Sequence, residues 1–243
     1  RPSFVSVTYR GGRVSRELTT AAVMEIRKTS ITPMPHLTCV CHTRAELTEI
    51  IQTFLAHGFE NLLALGGDPV EGESGELEYA EQLVELARSL GVPSIGVAAN
   101  TAGHPRSPDL ASDRRRLAAK LRLADFAITQ LFFHVADYER LVEDLAALGV
   151  HKPVIPGIMP ISTLGSITRM AELSGYQVPA DVVHRVRRVE HDPADVRRVG
   201  IEIAAELSAG VLEAGAPGIH FYTLNRSTAT REIYRDLGLA DPV

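Results

Sequence analysis

Strand-like and helix-like patterns alternate about seven times along this chain, with no composition break between them. The sharpest strand signal is the run over 61–69, NLLALGGDP. Leu62, Leu63, Ala64 and Leu65 form a short apolar run that stops at two glycines, an aspartate and a proline. Such a run between turn signals suits a parallel strand covered on both faces. Gly66 and Gly67 let the backbone turn sharply and lie close against a ligand. Asp68 falls just past the strand's C-terminal end, where parallel α/β folds collect binding and catalytic groups. A glycine turn with Asp68 capping the next helix is the plainer reading of the same residues.

The remaining strand patterns fall over 4–9, 36–40, 95–100, 126–133, 154–158 and 219–224. Apolar positions at helical spacing predict helices over 15–28, 77–90, 112–123, 135–148, 164–173, 179–189, 192–212 and 228–237. Another runs from a capping box at Thr43 and Glu46 through Leu47, Ile50, Ile51, Phe54 and Leu55. Each crossover is long enough for a parallel connection. The expected fold class is α/β, a (β/α)8 TIM barrel lacking its first strand, with 1–243 as one barrel domain. The missing strand would precede Arg1. A doubly wound open sheet is the alternative, but no G-x-G-x-x-G follows any strand.

Composition narrows the function. Hydrophobic residues at 45% and charged residues at 23% fit a soluble globular protein. A net charge of −5 gives nucleic-acid binding no support. The basic cluster Arg114, Arg115, Arg116 lies on a helical pattern with Leu117 and Leu121. It reads as a solvated helix face, with a phosphate contact as the alternative. Cys39 and Cys41 alternate along a strand-like run, so both should face the same side. Together with His42 they lack the second ligand pair that a zinc site needs, so no metal is expected. Two cysteines are too few for a secreted disulfide framework. No membrane-length apolar stretch or signal peptide appears, and cytoplasm is the default.

At the predicted strand ends stand Thr8 and Tyr9, His36 and Thr38, Asp68, Asn100 and His104, Gln130, Ser162, and Tyr222 with Asn225 and Arg226. These are hydrogen-bonding groups suited to a ligand rich in heteroatoms. No nucleophile elbow is present. Gln130 is an amide inside an apolar run, so it is either satisfied by backbone or presented to a heterocycle with a matching edge. Tyr222 and Arg226 read the same two ways. A carboxylate or phosphate is the functional partner for the arginine.

The segments FVSVTY, PHLTCV, LALGGDP, VAAN…HP, ADFAITQLFF, IPGIMPIS and HFYTLNR occur in one order across the chain. In that order and spacing the sequence resembles methylenetetrahydrofolate reductase in its bacterial single-domain form. The resemblance implies a (β/α)8 barrel carrying FAD, with NADH or NADPH as hydride donor. It also implies reduction of 5,10-methylenetetrahydrofolate to 5-methyltetrahydrofolate, the one-carbon step toward methionine. Folate and nicotinamide are then the small-molecule partners, and a homo-oligomer is in keeping with the family. Position by position, it makes Asp68 the aspartate at the pterin and near the flavin, and Gln130 the glutamine holding folate or nicotinamide. Thr8, His36, Leu65, Gly67, Asp68, Tyr79, Ala80, Ala98, His104, Asp113, Lys120 and Ile128 fall at flavin-lining positions. Arg226 matches a substrate-side arginine, with Tyr222 beside it.

The departures are as informative. Gly66 stands where the family has an arginine, Asn100 where it has a tyrosine, and Ala119 where an arginine often lies. Met170 replaces a substrate-stacking phenylalanine and Ser166 a glutamine. The family's proton-donating glutamate, in a Phe-Glu-Phe-Phe-like segment, has no counterpart here: a trimmed sequence would have it upstream of Arg1, and a complete one would lack the general acid. Each charged contact removed weakens flavin binding by about 1.5–3 kcal/mol. A flavin-free NADH-dependent reductase and a catalytically impaired folate-binding barrel are therefore the alternatives.

Overall fold

The computed structural model describes residues 2–9, 13–68 and 75–239. The glycine turn at Gly11 and Gly12, and the loop from Pro69 to residue 74, lie outside them. Two compact units result: Arg1–Ala98 with Arg116–Ala127, and Ala99–Arg115 with Ile128–Val243.

The first unit alternates β1 (Phe4–Val7), α1 (Arg13–Arg27), β2 (Thr32–Thr38), α2 (Arg44–Ala56), β3 (Asn61–Leu65), α3 (Ala80–Ser89) and most of β4 (Ser94–Ala99). Its strands pair in parallel, with Val5 opposite Pro33, His36 opposite Leu63 and Ala64 opposite Val97. Met34, Leu37, Leu47, Ile51, Leu83 and Ile95 are fully buried between strands and helices. Each such side chain contributes about 1.5–3 kcal/mol of transfer free energy. α2 starts where the sequence places it. Thr43 Oγ1 accepts the Glu46 N–H and the Glu46 carboxylate accepts the Thr43 N–H, closing the capping box.

The second unit holds the start of α4 (Leu110–Leu123), most of β5 (Phe126–Leu131), α5 (Val135–Ala147), β6 (Val154–Ile158), α6 (Leu164–Leu173), α7 (Ala180–Arg187), α8 (Pro193–Glu213), β7 (His220–Phe221) and α9 (Thr228–Asp236). β6 and β7 are parallel, with Gly157 opposite His220. Ile161, Ile167, Val182, Val186, Val196, Val199 and Ile203 form its helical core. α8 opens on Asp192, whose carboxylate accepts the Ala194 N–H, with Pro193 in the first turn.

Among the described residues the strand order is β1 through β7 in sequence order. That order, with a helical crossover after each strand, is the α/β fold class of the TIM barrel. Several boundaries move. β2 begins at Thr32 rather than 36, because Pro33 and Pro35 are two residues apart and lack their N–H on one side only. It ends at Thr38, because Cys41 takes φ +62° and breaks the extended chain. Cys39 and Cys41 therefore do not alternate along one strand: both lie past the end of β2, Cys39 buried and Cys41 half-buried. β7 shrinks to two residues, with the Tyr222 N–H adding one rung to the Ile158 carbonyl (2.8 Å).

Candidate active site

In the first unit β2, β3 and β4 bury their central positions and each leaves one position near its C-terminal end half-exposed. Those positions are His36, Leu65 and Ala98. Ala64 lies opposite Val97, so Leu65 and Ala98 follow as neighbours on adjacent strands. Gly67 comes next at φ +85°. A Cβ there would sit 2.5 Å from Val40 Cγ2 and 2.9 Å from Thr38 Cβ, so only glycine lets this backbone rest on the end of β2. Asp68 follows, exposed, with no hydrogen bond or ion pair among the described residues. It caps no helix: α3 starts at Ala80 behind Tyr79, and Gln82 Oε1 accepts the Glu78 and Tyr79 N–H groups. Tyr79 is 51% exposed. Lys120 Nζ donates to the Ala98 carbonyl (3.2 Å), and the Thr8 carbonyl accepts the Thr19 hydroxyl (2.8 Å).

Three features test whether a flavin suits this face. His36, Leu65 and Ala98 give a small, largely apolar platform for a flat ring. Thr38 Oγ1, on the same side of β2 as His36, is buried without a hydrogen-bond partner among the described residues. Lys120 brings one cation to the rim. The residues present fit the ring of a flavin, and Gly66 and Ala119 bring no side-chain cation for its diphosphate.

Behind this face Tyr9 Oη hydrogen-bonds His42 Nε2, and the two rings stack with centroids 5.6 Å apart. Burial pushes the Tyr9 hydroxyl up to about 12. Cys39 Sγ donates to the Gly66 carbonyl (3.1 Å). Among the described residues no cluster of three or more His, Cys, Asp or Glu side chains is placed to hold a metal ion. At the other end of these strands a cavity of about 240 Å³ opens between Arg27, Thr32, Phe59 and Asn61. That is the N-terminal, stability-bearing end of a barrel strand.

In the second unit Gln130 is the half-exposed position of β5 beyond its buried centre, Ile128 included. Its amide meets no hydrogen-bond partner among the described residues. Tyr222 is committed to the protein: its hydroxyl donates to the Thr129 carbonyl (2.7 Å), while Thr129 Oγ1 accepts the Gly157 N–H (2.8 Å). Gly157 makes that crossing possible, since a Cβ would lie 2.2 Å from the Thr129 carbonyl oxygen and 2.6 Å from Tyr222 Cε2. His220 meets Tyr222 edge-on at 5.0 Å. Burial lowers the His220 imidazole to about 4 and raises the Tyr222 phenol. Arg226 is exposed beyond the left-handed Leu224 and Asn225.

His104 and Asp113 come together, the His104 N–H donating to Asp113 Oδ1 (2.9 Å). Beside them is Arg114, which overturns the expectation of a solvated basic face. Arg115 and Arg116 are exposed, but Arg114 is 3% exposed and paired with Asp113 and Asp144. The signal was available: 114, 117, 118 and 121 form the i, i+3, i+4, i+7 stripe that buries α4.

The family model for methylenetetrahydrofolate reductase matches residues 1–238. The chain belongs to the methylenetetrahydrofolate reductase family. Membership places it among the oxidoreductases of folate one-carbon metabolism. A 5,10-methylenetetrahydrofolate reductase of Pectobacterium carotovorum is 33% identical over 246 residues, covering 100% of this chain and 82% of that protein. A probable methylenetetrahydrofolate reductase (NADPH) of Caenorhabditis elegans is 36% identical, over 85% of this chain but 32% of its own length. Methylenetetrahydrofolate reductase 1 of Schizosaccharomyces pombe is 34% identical, with 99% and 42% covered. The chain thus spans under half of these two eukaryotic members of the family and most of the bacterial one. Among solved structures, an uncharacterized Clostridium thermocellum protein superposes with a TM-score of 0.59 at 12% identity, over 96% of this chain and 92% of that one. At that identity the match speaks for the fold alone. Among the described residues no helix is long and apolar enough to cross a membrane.

Proposed function

We propose that this chain reduces 5,10-methylenetetrahydrofolate to 5-methyltetrahydrofolate with hydride from NADH or NADPH through FAD, acting as one barrel domain. The observation that carries the proposal is the coincidence of two independent patterns. The half-exposed positions toward the C-terminal ends of β2, β3, β4 and β5, namely His36, Leu65, Ala98 and Gln130, are those that family resemblance assigns to cofactor and folate. The Clostridium thermocellum protein of like fold binds 5-methyl-5,6,7,8-tetrahydrofolic acid, the product proposed here.

The reaction opens the N5–CH2–N10 bridge. The bond from the methylene carbon to N10 breaks, N10 takes a proton, and the carbon becomes an N5 iminium cation. Hydride then adds to that carbon, and the nicotinamide that supplied it is oxidised. Bound FAD supplies the hydride relay between the two substrates. Asp68, a carboxylate with no hydrogen bond or ion pair among the described residues, stabilises the positive charge that develops on the iminium. Gln130 offers a donor and an acceptor to the pterin or to the nicotinamide amide. Arg226 takes a carboxylate of the folate tail, with Tyr222 nearby in sequence. Thr8, His36, Leu65, Gly67, Tyr79, Ala80, Ala98, His104 and Ile128 would hold the cofactor when bound, and Lys120 would supply a cation for its diphosphate.

An absorbance spectrum of purified protein followed by anaerobic NADH addition tests this directly. Flavin bands that bleach with NADH and return with the methylene folate are the expected result. Asp68→Asn should keep the bands and lose roughly 10²–10³-fold in turnover. Absence of both flavin uptake and folate-dependent NADH oxidation would remove the reading.

A flavin-free variant of the same reaction draws support from a specific observation. Gly66 and Ala119 contribute no cation, and the Asp113 carboxylate is occupied by His104, Ser107 and Arg114. NADH-dependent turnover in protein stripped of flavin distinguishes it.

A further inference from the structure

Residues 100–107 follow β4 and carry His104. Side chains of the same unit hold this segment along its length. Arg114 Nη1 donates to the Asn100 carbonyl (2.9 Å), Nη2 to the Thr101 carbonyl (2.5 Å), and Nε to Asp144 Oδ2 (3.0 Å). Tyr176 Oη accepts the Ala102 N–H and shares a hydrogen bond with Thr101 Oγ1. Asp113 Oδ1 accepts the His104 N–H (2.9 Å) and the Ser107 hydroxyl (3.2 Å), and Oδ2 accepts from Arg114 Nη1 (3.2 Å). Gly175 lets its turn lie against Pro105, since a Cβ there would fall 2.1 Å from Pro105 Cγ. The His104 ring is itself set, accepting the Arg106 N–H at Nδ1 (3.1 Å), so the neutral ring carries its proton on Nε2.

The chemistry of Asp113 follows from this. A carboxylate offers about four lone-pair directions, and here three meet donors of the same loop and helix. At 7% exposed, the group has little surface left for a ligand. A planar guanidinium forked between two successive carbonyls and two aspartates fixes backbone direction in a way a single ammonium cannot.

We infer that Arg114 and Tyr176 are positioning residues for His104, and that Asp113 belongs with them, acting on bound cofactor through this loop rather than by touching it. The part concerning cofactor rests on the flavin-dependent reading above; the clamp on His104 does not.

Two measurements on the full chain test it. In ligand-free protein, Tyr176→Phe should speed exchange of the Ala102 amide by about tenfold or more. Arg114→Lys, which keeps the charge but loses the fork, should shift the His104 ring resonances. An unmoved His104 signal together with unchanged Ala102 exchange overturns the positioning role. The second measurement is a cycle on FAD affinity, read by quenching of flavin fluorescence. Asp113→Asn should weaken binding roughly tenfold in the parent and less than about threefold in a His104→Ala background. Equal losses in both backgrounds make Asp113 a direct contact and overturn its assignment. If the parent protein quenches no FAD while Tyr176→Phe still frees Ala102, the flavin reading fails and the positioning role stands. The same cycle is then read on NADH fluorescence.

Discussion

Two arginines treat the two ends of β4 in the same way with different consequences. Arg88 sits before the strand: it donates to the carbonyls of Leu123, Val92 and Pro93 and pairs with Asp125, whose carboxylate also accepts the Ile95 N–H. Arg114 holds the chain after the strand, donating to the carbonyls of Asn100 and Thr101 and pairing with Asp113 and Asp144. The Arg88 side chain is 32% exposed and the Arg114 side chain 4%. In barrels the N-terminal strand ends serve stability and the C-terminal ends serve chemistry. The contrast shows that the chemical end is not built from uncommitted groups alone. Much of its polar equipment is bound to backbone, so that a few side chains stand free.

The largest expected effect separates the two clamps. Arg114→Met leaves the Asp113 carboxylate buried without its cation and should destabilise the protein by about 4 kcal/mol. Arg88→Met breaks bonds that water can replace and should cost about 1–2 kcal/mol. For a chain of this size each kcal/mol moves Tm by roughly 2–4 °C, so thermal unfolding resolves the pair. Equal losses would show that the difference in burial does not govern the energetics.

The pH dependence gives the next effect. His220 has a folded pKa of about 4 against an unfolded 6.5. The unfolded chain therefore binds the extra proton first as pH falls. The stability linked to His220 is fully present above about pH 6.5 and is lost between about 6.5 and 4, amounting to about 2–3 kcal/mol by the lower limit. His220→Phe should flatten the stability profile across that window in denaturant titrations. An unchanged profile would place the acid sensitivity elsewhere.

The periodic parts of this molecule were legible in the sequence. β6 and α6 fall at their expected limits, and the capping box at Thr43 and Glu46 forms as read. These are local features, fixed by spacing within one element. Arg114 was misread because its charge was weighed ahead of its place on the buried stripe of α4. For Tyr222 the sequence left backbone and ligand as equal readings and could not choose between them. Its hydroxyl bonds Thr129, 93 residues earlier, and only the missing side chain at Gly157 admits the crossing. Whether a polar residue at a strand end serves ligand or backbone depends on such distant contacts, which periodicity does not carry.

Tyr222 thus sharpens the comparison between committed and free groups. Tyr222→Phe should lower stability by about 1–2 kcal/mol by leaving the Thr129 carbonyl without its donor. The Michaelis constant for the folate should stay within about threefold, whereas Gln130→Ala should raise it about tenfold or more with little loss of stability. A Tyr222→Phe variant that keeps its stability but loses folate affinity would reverse the assignment.

The smallest effect concerns backbone rather than side chains. Cys41 holds φ +62° at the end of β2, a conformation that costs an L-residue about 1–2 kcal/mol and glycine almost nothing. The strain persists because both flanks are tied: the Val40 N–H donates to the Gly66 carbonyl and the His42 carbonyl accepts the Glu76 N–H. Gly75 closes over the same turn, its Cβ position lying 2.7 Å from the Cys39 carbonyl oxygen. Cys41→Gly relieves the strain but loosens the unfolded chain by about 0.4–1 kcal/mol, so the net gain should be about 0.5–1 kcal/mol. Cys41→Ala removes the same thiol and keeps the strain. The stability difference between the two variants therefore isolates the backbone contribution, and a glycine variant no more stable than the alanine one would mean that this turn relaxes without cost.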